Sequence, residues 1–311
     1  MELHQPVLVD EVLRALSIEL NPDGVYVDAT LGLGGHSLEI VKRLGASGLL
    51  IGLDVDPLAL ERAGQRLQGA RGQVEIVRSS YADLDLVLER LSIPNVQGVL
   101  LDLGISSYQL EVSGRGFSFS RDEPLDMRMD PSKPVTAEYL VNKLSERELG
   151  EILKRFGEEP RAKSIARAIV REREKEPIRT TSQLVKIVES HSPPRARLGK
   201  HPATRTFQAL RIATNRELEN LKSFLEKIPG YIAKGGRLVI LSYHSLEHRM
   251  VKQAMVEWEK GCTCPKDLPQ CLCSKKELFR RINRKAIKPT EAEVRKNPRA
   301  RSAQLRAAER V

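Results

Sequence analysis

The segment Tyr26–Ser37, YVDATLGLGGHS, contains the junction that decides the fold of this 311-residue chain. An apolar strand ends at Asp28, a turn with three glycines follows, and apolar residues at helical spacing continue from Leu38 to Leu44. A strand, a glycine-rich turn and a helix in this order form the first unit of a nucleotide-binding α/β sheet. Glycines let a ligand approach the main chain, and the start of the helix offers free N–H groups.

The spacing of the glycines and of a later carboxylate narrows the choice of ligand. Gly32, Gly34 and Ser37 follow the dinucleotide fingerprint except at its last position, which normally holds glycine or alanine. Asp54 ends a second apolar strand about 20 residues beyond the turn, where the fingerprint places an acid for the ribose hydroxyls. An ordinary strand-to-helix loop is the alternative for the glycine turn alone. Together the two features predict a ligand with an adenosine but no required pyrophosphate, and S-adenosylmethionine fits.

The alternation of strands and helices continues as far as Asp102. Apolar segments at 74–77 and 96–101 predict two more strands, each preceded by a helical pattern. This regular rhythm predicts a parallel sheet with right-handed crossovers. Ligands of such sheets bind beyond the carboxyl ends of the strands, which is where four polar residues fall: Asp28, Asp54, Tyr81 and Asp102.

A long interruption of this pattern predicts an inserted domain. After Asp102 come loops and then four helical segments, at 136–143, 145–156, 160–173 and 180–191. Helical periodicity resumes at Thr206 and lasts until Pro229, and a fifth strand at 237–241 and two alternating segments near the end complete the sheet. We therefore predict an α/β, Rossmann-like fold with a mostly parallel sheet from residues 1–110 and 205–311, and an inserted helical domain from 111–204.

The charge of the chain points to a polyanionic partner. The formal net charge is +10 and the pI about 9.5. Residues 275–310 carry 13 basic and 4 acidic side chains, a difference of +9, which favours nucleic-acid binding over a merely solvated surface. Aromatic residues make up only 4%, so a base-stacking platform is not expected. The basic segment 161–175 fits a salt-bridged exposed helix and an RNA contact equally well.

Membrane and redox features add little. No run of about 18 apolar residues occurs, and the N-terminal segment has the pattern of an amphipathic helix and not of a signal peptide, so we expect a cytoplasmic protein. Four cysteines lie in one short stretch. Four thiolates suit tetrahedral zinc, but the CxC spacing is tighter than usual and a redox-labile loop is an equal alternative. These residues are Cys262, Cys264, Cys271 and Cys273.

Motifs along nearly the whole chain resemble the RsmH (MraW) family of bacterial small-subunit rRNA cytosine-N4 methyltransferases. The motifs are HQPVLVDEVL, DATLGLGGHS, GLDVDP, SSYADL, LDLGISSYQL, RGFSF, PLDMRMD, TFQALRIATNRELENL, GGRLVILSYHSLE and NPRARSAQLRAAER. The resemblance implies a class I methyltransferase domain with an inserted helical domain for substrate recognition. It also implies methyl transfer from S-adenosylmethionine to the exocyclic amine of a cytosine in 16S rRNA, at the ribosomal P site. His248 is a mild departure, since the family often has an acid there.

The resemblance also implies the residues that bind the cofactor. Asp54 is expected to accept hydrogen bonds from both ribose hydroxyls. Tyr81 is expected either to pack on the adenine or to belong to the rim of the core. His36 is expected either to cap its helix or to contact the methionine carboxylate. The full set carried over is Gly34, Gly35, His36, Asp54, Tyr81, Asp102 and Gln109.

The reaction needs no metal, but it needs a well-oriented amine, because the lone pair of the cytosine amine is delocalised into the ring. Orientation of this kind contributes about 7–11 kcal/mol. Amino-methyltransferases usually carry an acid or amide before Pro-Pro-aromatic after the fourth strand, and this chain has Asp102-Leu103-Gly104 instead. We predict that Asp102 accepts a hydrogen bond from the cofactor or the amine, and that His244 acts at the end of the fifth strand. A structural histidine is the alternative for His244. The target base must be unstacked to reach the pocket.

Three other classes share parts of the pattern. A nicotinamide-dependent oxidoreductase would need glycine or alanine at the last position of the dinucleotide fingerprint, where this chain has Ser37. A DNA amino-methyltransferase would carry the Pro-Pro-aromatic motif, which is missing here. A ribosome-binding protein without activity would not need four polar strand ends at one crevice. We expect 16S rRNA within the assembled small subunit as the partner, no membrane contact, and a monomer or a homodimer.

Overall fold

The computed structural model describes residues 6–70, 72–191, 201–261 and 276–311. Two compact units divide the chain, one formed by residues 1–104 and 219–311 and the other by residues 105–218. Each unit has its own hydrophobic core. Within the described ranges, no helix combines the length and apolar character needed to cross a bilayer. The four cysteines considered above lie outside these ranges.

A seven-stranded sheet forms the centre of the first unit, in the order β3-β2-β1-β4-β5-β7-β6. The first five strands are parallel, and β7 runs antiparallel to both β5 and β6. The predicted α/β fold with a mostly parallel sheet is confirmed. The direction of the strand order reverses between β1 and β4, which is where ligands of such sheets bind. The strands are β1 Val25–Asp28, β2 Leu49–Asp54, β3 Gln73–Arg78, β4 Val96–Asp102, β5 Ile232–Ser242, β6 Phe279–Arg281 and β7 Gln304–Arg310.

Helices cover both faces of this sheet, which explains why its central strands are almost continuously apolar. Successive residues of a strand point to opposite faces. Val99 and Leu101 therefore join one core, while Leu100 joins the other. Helix α3 begins as predicted, with Asp56 accepting a hydrogen bond from the Leu58 N–H. The helices in the first unit are α1 Val9–Leu16, α2 Gly35–Val41, α3 Pro57–Leu67, α4 Leu84–Arg90, α12 Ser245–Glu259 and α13 Glu291–Lys296.

The second unit is helical. Its helices are α5 Ser107–Glu111, α6 Ala137–Lys143, α7 Glu146–Gly157, α8 Ala162–Arg173, α9 Thr181–Ser190 and α10 Thr204–Asn215. The capping box predicted at Ser145 and Glu148 is present, and Thr180 with Gln183 forms another. The buried faces of α6 to α10 pack into one core. The predicted helical insertion is therefore observed.

The second unit includes one helix, α10, that follows the segment predicted as the insertion. The pattern from Thr206 to Pro229 suggested uninterrupted helix, but Arg216 adopts a left-handed conformation, φ 53°, and separates α10 from α11 (Glu217–Lys227). Helix α10 packs on the helices of the second unit, with Leu210 and Ile212 in their core. The second unit in the structure is formed by residues 105–218, and the domain limits at 111 and 204 stay a prediction. An amphipathic pattern does not tell which apolar surface a helix will cover.

Candidate active site

Polar side chains converge at the carboxyl ends of β1, β2 and β4, linked through the turn that follows β1. The N–H of Gly32 donates to Oδ2 of Asp54 at 2.8 Å. The N–H of Asp102 donates to Oγ1 of Thr30 at 2.7 Å. The turn therefore holds Asp54 from one side and Asp102 from the other. Three of the strand ends singled out in the sequence do meet at one edge of the sheet.

The glycine turn is built for close approach to the main chain. Gly32 and Gly34 have φ values of 51° and 74°, a backbone conformation that residues with a Cβ adopt only at a cost in free energy. A Cβ added to Gly32 would meet only the Thr30 carbonyl, at 3.9 Å, so the surface of the turn is open there. A Cβ on Gly34 would lie 3.4 Å from Ala63, so this glycine also permits packing of the turn on α3. Gly35 starts α2 beside Pro6.

Asp54 is held in place by main-chain donors. Its Oδ1 accepts from the N–H of Asp56 at 2.9 Å, and its Oδ2 accepts from Gly32. Each carboxylate oxygen has two lone pairs, so both retain acceptor capacity. Burial raises the pKa of Asp54 to about 6. The carboxylate is thus rigid and acceptor-rich, as a group that binds two vicinal hydroxyls must be.

Asp102 lies at the centre of a second cluster. Its Oδ1 accepts from the phenolic oxygen of Tyr243 at 2.7 Å, and its Oδ2 lies 3.6 Å from Nδ1 of His36. Burial raises the pKa of Asp102, against the opposing effects of His36 and Tyr243. Burial also holds the pKa of Tyr243 well above its usual value, so this phenol remains a donor. About 23% of the Asp102 side chain is exposed, so the oriented carboxylate stays accessible.

His36 has a structural bond as well as a place in this cluster. Its Nε2 lies 2.8 Å from the carbonyl oxygen of Val7, which can only accept, so Nε2 carries a proton. The other ring nitrogen of His36, Nδ1, lies 3.6 Å from Oδ2 of Asp102. His36 therefore ties the start of α1 to the site. A contact with a methionine carboxylate remains a prediction.

Beneath Asp102, a buried pair secures the end of β1. Asp28 is 1% exposed, and its Oδ2 accepts from the hydroxyl of Ser37 at 2.7 Å. The N–H of Thr30 donates to its Oδ1 at 3.2 Å. Burial raises the pKa of Asp28. Asp28 therefore stabilises both the glycine turn and the start of α2. Each of its two carboxylate oxygens already accepts one of these hydrogen bonds.

Tyr81 and His244 lie at two other strand ends. Tyr81 follows β3 and packs edge-on against Phe224, with ring centroids 5.8 Å apart, as a partly buried member of the core. This agrees with its alternative as a rim residue and leaves adenine packing as a prediction. His244 is the N-cap of α12, and its Nδ1 accepts from the N–H of Glu247 at 3.4 Å.

The turn after β5 depends on Glu247, which is 2% exposed. Its Oε2 accepts from the N–H groups of Tyr243 and His244, at 2.8 and 3.2 Å. Nε2 of His244 lies 3.1 Å from Oε1 of Glu247, at an angle that does not make a hydrogen bond. The geometry gives His244 a capping role, which is the structural alternative. Its predicted catalytic role stays a prediction.

Gln109 belongs to the second unit. Its Oε1 accepts from the N–H of Ser106 at 3.1 Å and its own N–H donates to the Ser106 hydroxyl at 3.2 Å, which completes a capping box at α5. Gln109 is buried. Its side-chain amide still has donors for a ligand, and its cofactor role remains a prediction.

Sequence reasoning missed two residues that organise the site. Tyr243 follows β5 in the sequence SYHS, and only its location at a strand end pointed to it. Thr30 gave no signal, because threonine is common in turns. Both act through Asp102, since one donates to its carboxylate and the other accepts from its main chain.

Comparison with known proteins gives the family. The model of the MraW methylase family matches residues 1–311. The ribosomal RNA small subunit methyltransferase H of Desulfosudis oleivorans is 50% identical, over 99% of this chain and 99% of that protein. The protein of the same name from Symbiobacterium thermophilum is 47% identical, over 98% and 95%. The chain therefore belongs to the MraW methylase family.

Proposed function

We propose that this protein transfers a methyl group from S-adenosylmethionine to N4 of a cytosine in small-subunit rRNA. The supporting observation is the linked pair of carboxylates, Asp54 and Asp102, on the two sides of one glycine turn at the switch point of the sheet. Membership of the MraW methylase family, and the names of relatives 47–50% identical over almost their whole length, support the same reaction. We also propose a cytoplasmic location, where ribosomal subunits are found.

The residues of the first unit fit S-adenosylmethionine. Asp54 keeps free lone pairs for the two ribose hydroxyls, and the open surface of the turn at Gly32 leaves the main chain accessible. The carboxylate of Asp102 suits the ammonium of the methionine part or the amine of the base. When bound, S-adenosylmethionine supplies an electrophilic methyl carbon on a sulfonium. We further propose that Gly35, His36 and Tyr81 contribute to this site.

For this reaction the protein must orient the cytosine amine and stabilise the positive charge that develops on it. N4 would take the methyl group from the sulfonium, which would leave as a neutral thioether, and the cationic amine would lose a proton to the carboxylate of Asp102. Asp102 is the group we assign to accept a hydrogen bond from this amine and to stabilise its developing charge. Tyr243 and Thr30 position it, so its oxygens need not reorganise during the reaction.

Cofactor binding should depend on pH through Asp54. Its pKa of about 6 means that the carboxylate takes up a proton as the pH falls below 6 and then offers fewer acceptor sites to the ribose. We expect the Kd for S-adenosylmethionine to rise as the pH falls from 7.5 to 5, approaching tenfold per pH unit below the pKa. Calorimetric titrations at several pH values measure this. An Asp54→Asn variant should bind weakly with a flatter profile, and an equally flat profile for the wild type contradicts the role.

The substrate proposal can be tested by offering both forms of the RNA. We propose that the assembled small subunit is methylated in preference to protein-free 16S rRNA, because a single cytosine gains a distinctive shape only in context. Transfer of label from S-adenosylmethionine should therefore be faster with unmodified subunits. Equal rates with both would contradict this preference, and transfer to DNA would favour the rival DNA methyltransferase.

A further inference from the structure

Helix α8 of the second unit carries a stripe of basic side chains that the proposed reaction does not use. Lys163, Arg167 and Arg171 are exposed and follow one another at intervals of four residues. Residues at this spacing lie on one face of a helix, about 6 Å apart along its axis. We call these three residues the α8 stripe. Helix α8 carries four basic side chains and one acidic side chain, Glu172, so its net charge is strongly positive.

The helix that carries the α8 stripe is fixed by its packing on the core of the second unit. On the opposite face of α8, Ile165, Ala166 and Ile169 are at most 1% exposed and belong to the core of the second unit. At the start of the helix, the guanidinium of Arg161 donates to the carbonyl oxygen of His191 at 2.6 Å, which ties α8 to the end of α9. The positions of the three cations are therefore set by the core, although their side chains extend into solvent.

The α8 stripe also borders a surface cavity with a volume of about 300 Å³. The residues that line this cavity are Lys163, Ser164, Arg167, Ala168, Arg171 and His191. The small side chains of Ser164 and Ala168 leave room between the cations. This arrangement admits a compact, hydrogen-bonding anion such as a phosphate group.

The existing ion pairs leave the stripe available. Nε of Arg167 lies 3.4 Å from Glu146, and Nε of Arg171 lies 3.4 Å from Glu172, with both arginines 60% or more exposed. Exposed pairs of this kind contribute roughly 0–1 kcal/mol. Glu172 is also the closer partner of Lys175, at 2.9 Å. A phosphate can therefore replace these contacts at little cost.

We propose that the α8 stripe binds the phosphate backbone of small-subunit rRNA, an inference that rests on the proposed function. Guanidinium groups pair with phosphate through two parallel hydrogen bonds, and contacts of this type position a protein on RNA without reading its sequence. None of the large apolar side chains exposed in the described part of the chain lies on α8, so the stripe lacks the anchors that a membrane-binding helix uses. The second unit thereby contributes to the binding of the rRNA.

The test is the salt dependence of subunit binding by a triple variant, Lys163→Gln, Arg167→Gln and Arg171→Gln. Each lost phosphate contact reduces the slope of log K against log salt by about 0.7–0.9, so we expect a slope shallower by roughly 2–3. Affinity for unmodified small subunits should fall about 10- to 100-fold at 0.15 M salt. Binding of S-adenosylmethionine and the melting temperature should not change, because the three residues are exposed and outside the cofactor site.

Two matched variants separate charge at this place from charge in general. Replacing Lys42, Lys222 and Lys260 by glutamine removes the same charge from exposed positions, within a helix or directly after one, that pair with nearby acids, and should leave the slope unchanged. Exchanging the basic residue types (Lys163→Arg, Arg167→Lys and Arg171→Lys) keeps the charge and should keep most of the affinity.

Each remaining outcome counts against the proposal. A triple variant with the affinity and slope of the wild type would show that the stripe does not contact RNA. A loss on subunits but not on protein-free 16S rRNA would assign the stripe to a ribosomal protein. If the wild type neither binds nor methylates subunits, the proposed function fails and the RNA contact fails with it.

Discussion

Replacing Asp102 with alanine is expected to reduce kcat about 10²- to 10⁴-fold, the range for losing a positioned acid–base group. The carboxylate at the end of β4 is accessible, held by Tyr243, and close to the glycine turn. Alanine removes the acceptor for the developing charge on the amine while leaving the strand intact. Single-turnover methyl transfer at saturating S-adenosylmethionine measures the chemical step without interference from weaker cofactor binding. A variant that retains wild-type turnover would contradict the assignment.

Tyr243→Phe is the matched control for this prediction. It removes only the hydrogen bond to Oδ1 of Asp102 and keeps the aromatic ring that packs against Gly104. A positioning role predicts a smaller loss of kcat, on the order of tenfold, which is the lower end of what a hydrogen bond to a charged group contributes. It also predicts an upward shift in the pH profile of kcat, because this donor lowers the pKa of Asp102. An unchanged profile would reduce Tyr243 to a packing residue.

Replacing Asp54 with alanine should weaken S-adenosylmethionine binding at least about 100-fold. Two hydrogen bonds from ribose to a charged acceptor contribute roughly 1.5–3 kcal/mol each, and the variant also frees the N–H groups of Gly32 and Asp56. Titration calorimetry at pH 7.5 measures the change.

Asp56→Ser provides the comparison for Asp54→Ala. It removes a carboxylate two residues away but keeps an N-cap for α3, so cofactor affinity should stay within about threefold of the wild type. Comparable losses in both variants would show that general negative charge matters, and not the ribose contact at Asp54.

Much of this architecture could be predicted from sequence because it depends on local rules. The apolar strands with helices on both faces, the turn at Gly32 and Gly34, and the cap at Asp56 follow from periodicity and backbone preferences. The convergence of Asp54 and Asp102 follows from topology, since the carboxyl ends of parallel strands lie at one edge.

The features that the sequence did not predict depend on contacts between distant segments. The left-handed residue that separates α10 from α11 is an arginine, Arg216, and not the glycine or asparagine that usually adopts this conformation. His36 bonds to a carbonyl 29 residues away, and Tyr243 reaches an aspartate 141 residues away. Periodicity carries no information about such partners. The contacts that His36 and Tyr243 make around Asp102 could therefore be identified only from the structure.

Nucleoside mass spectrometry of unmodified small subunits, after incubation with the protein and labelled S-adenosylmethionine, shows which base receives the methyl group. We predict a new N4-methylcytosine in 16S rRNA with the wild type, and its loss with Asp102→Ala. Cofactor binding without any methylated base, or label found only on another base, would contradict the proposed reaction.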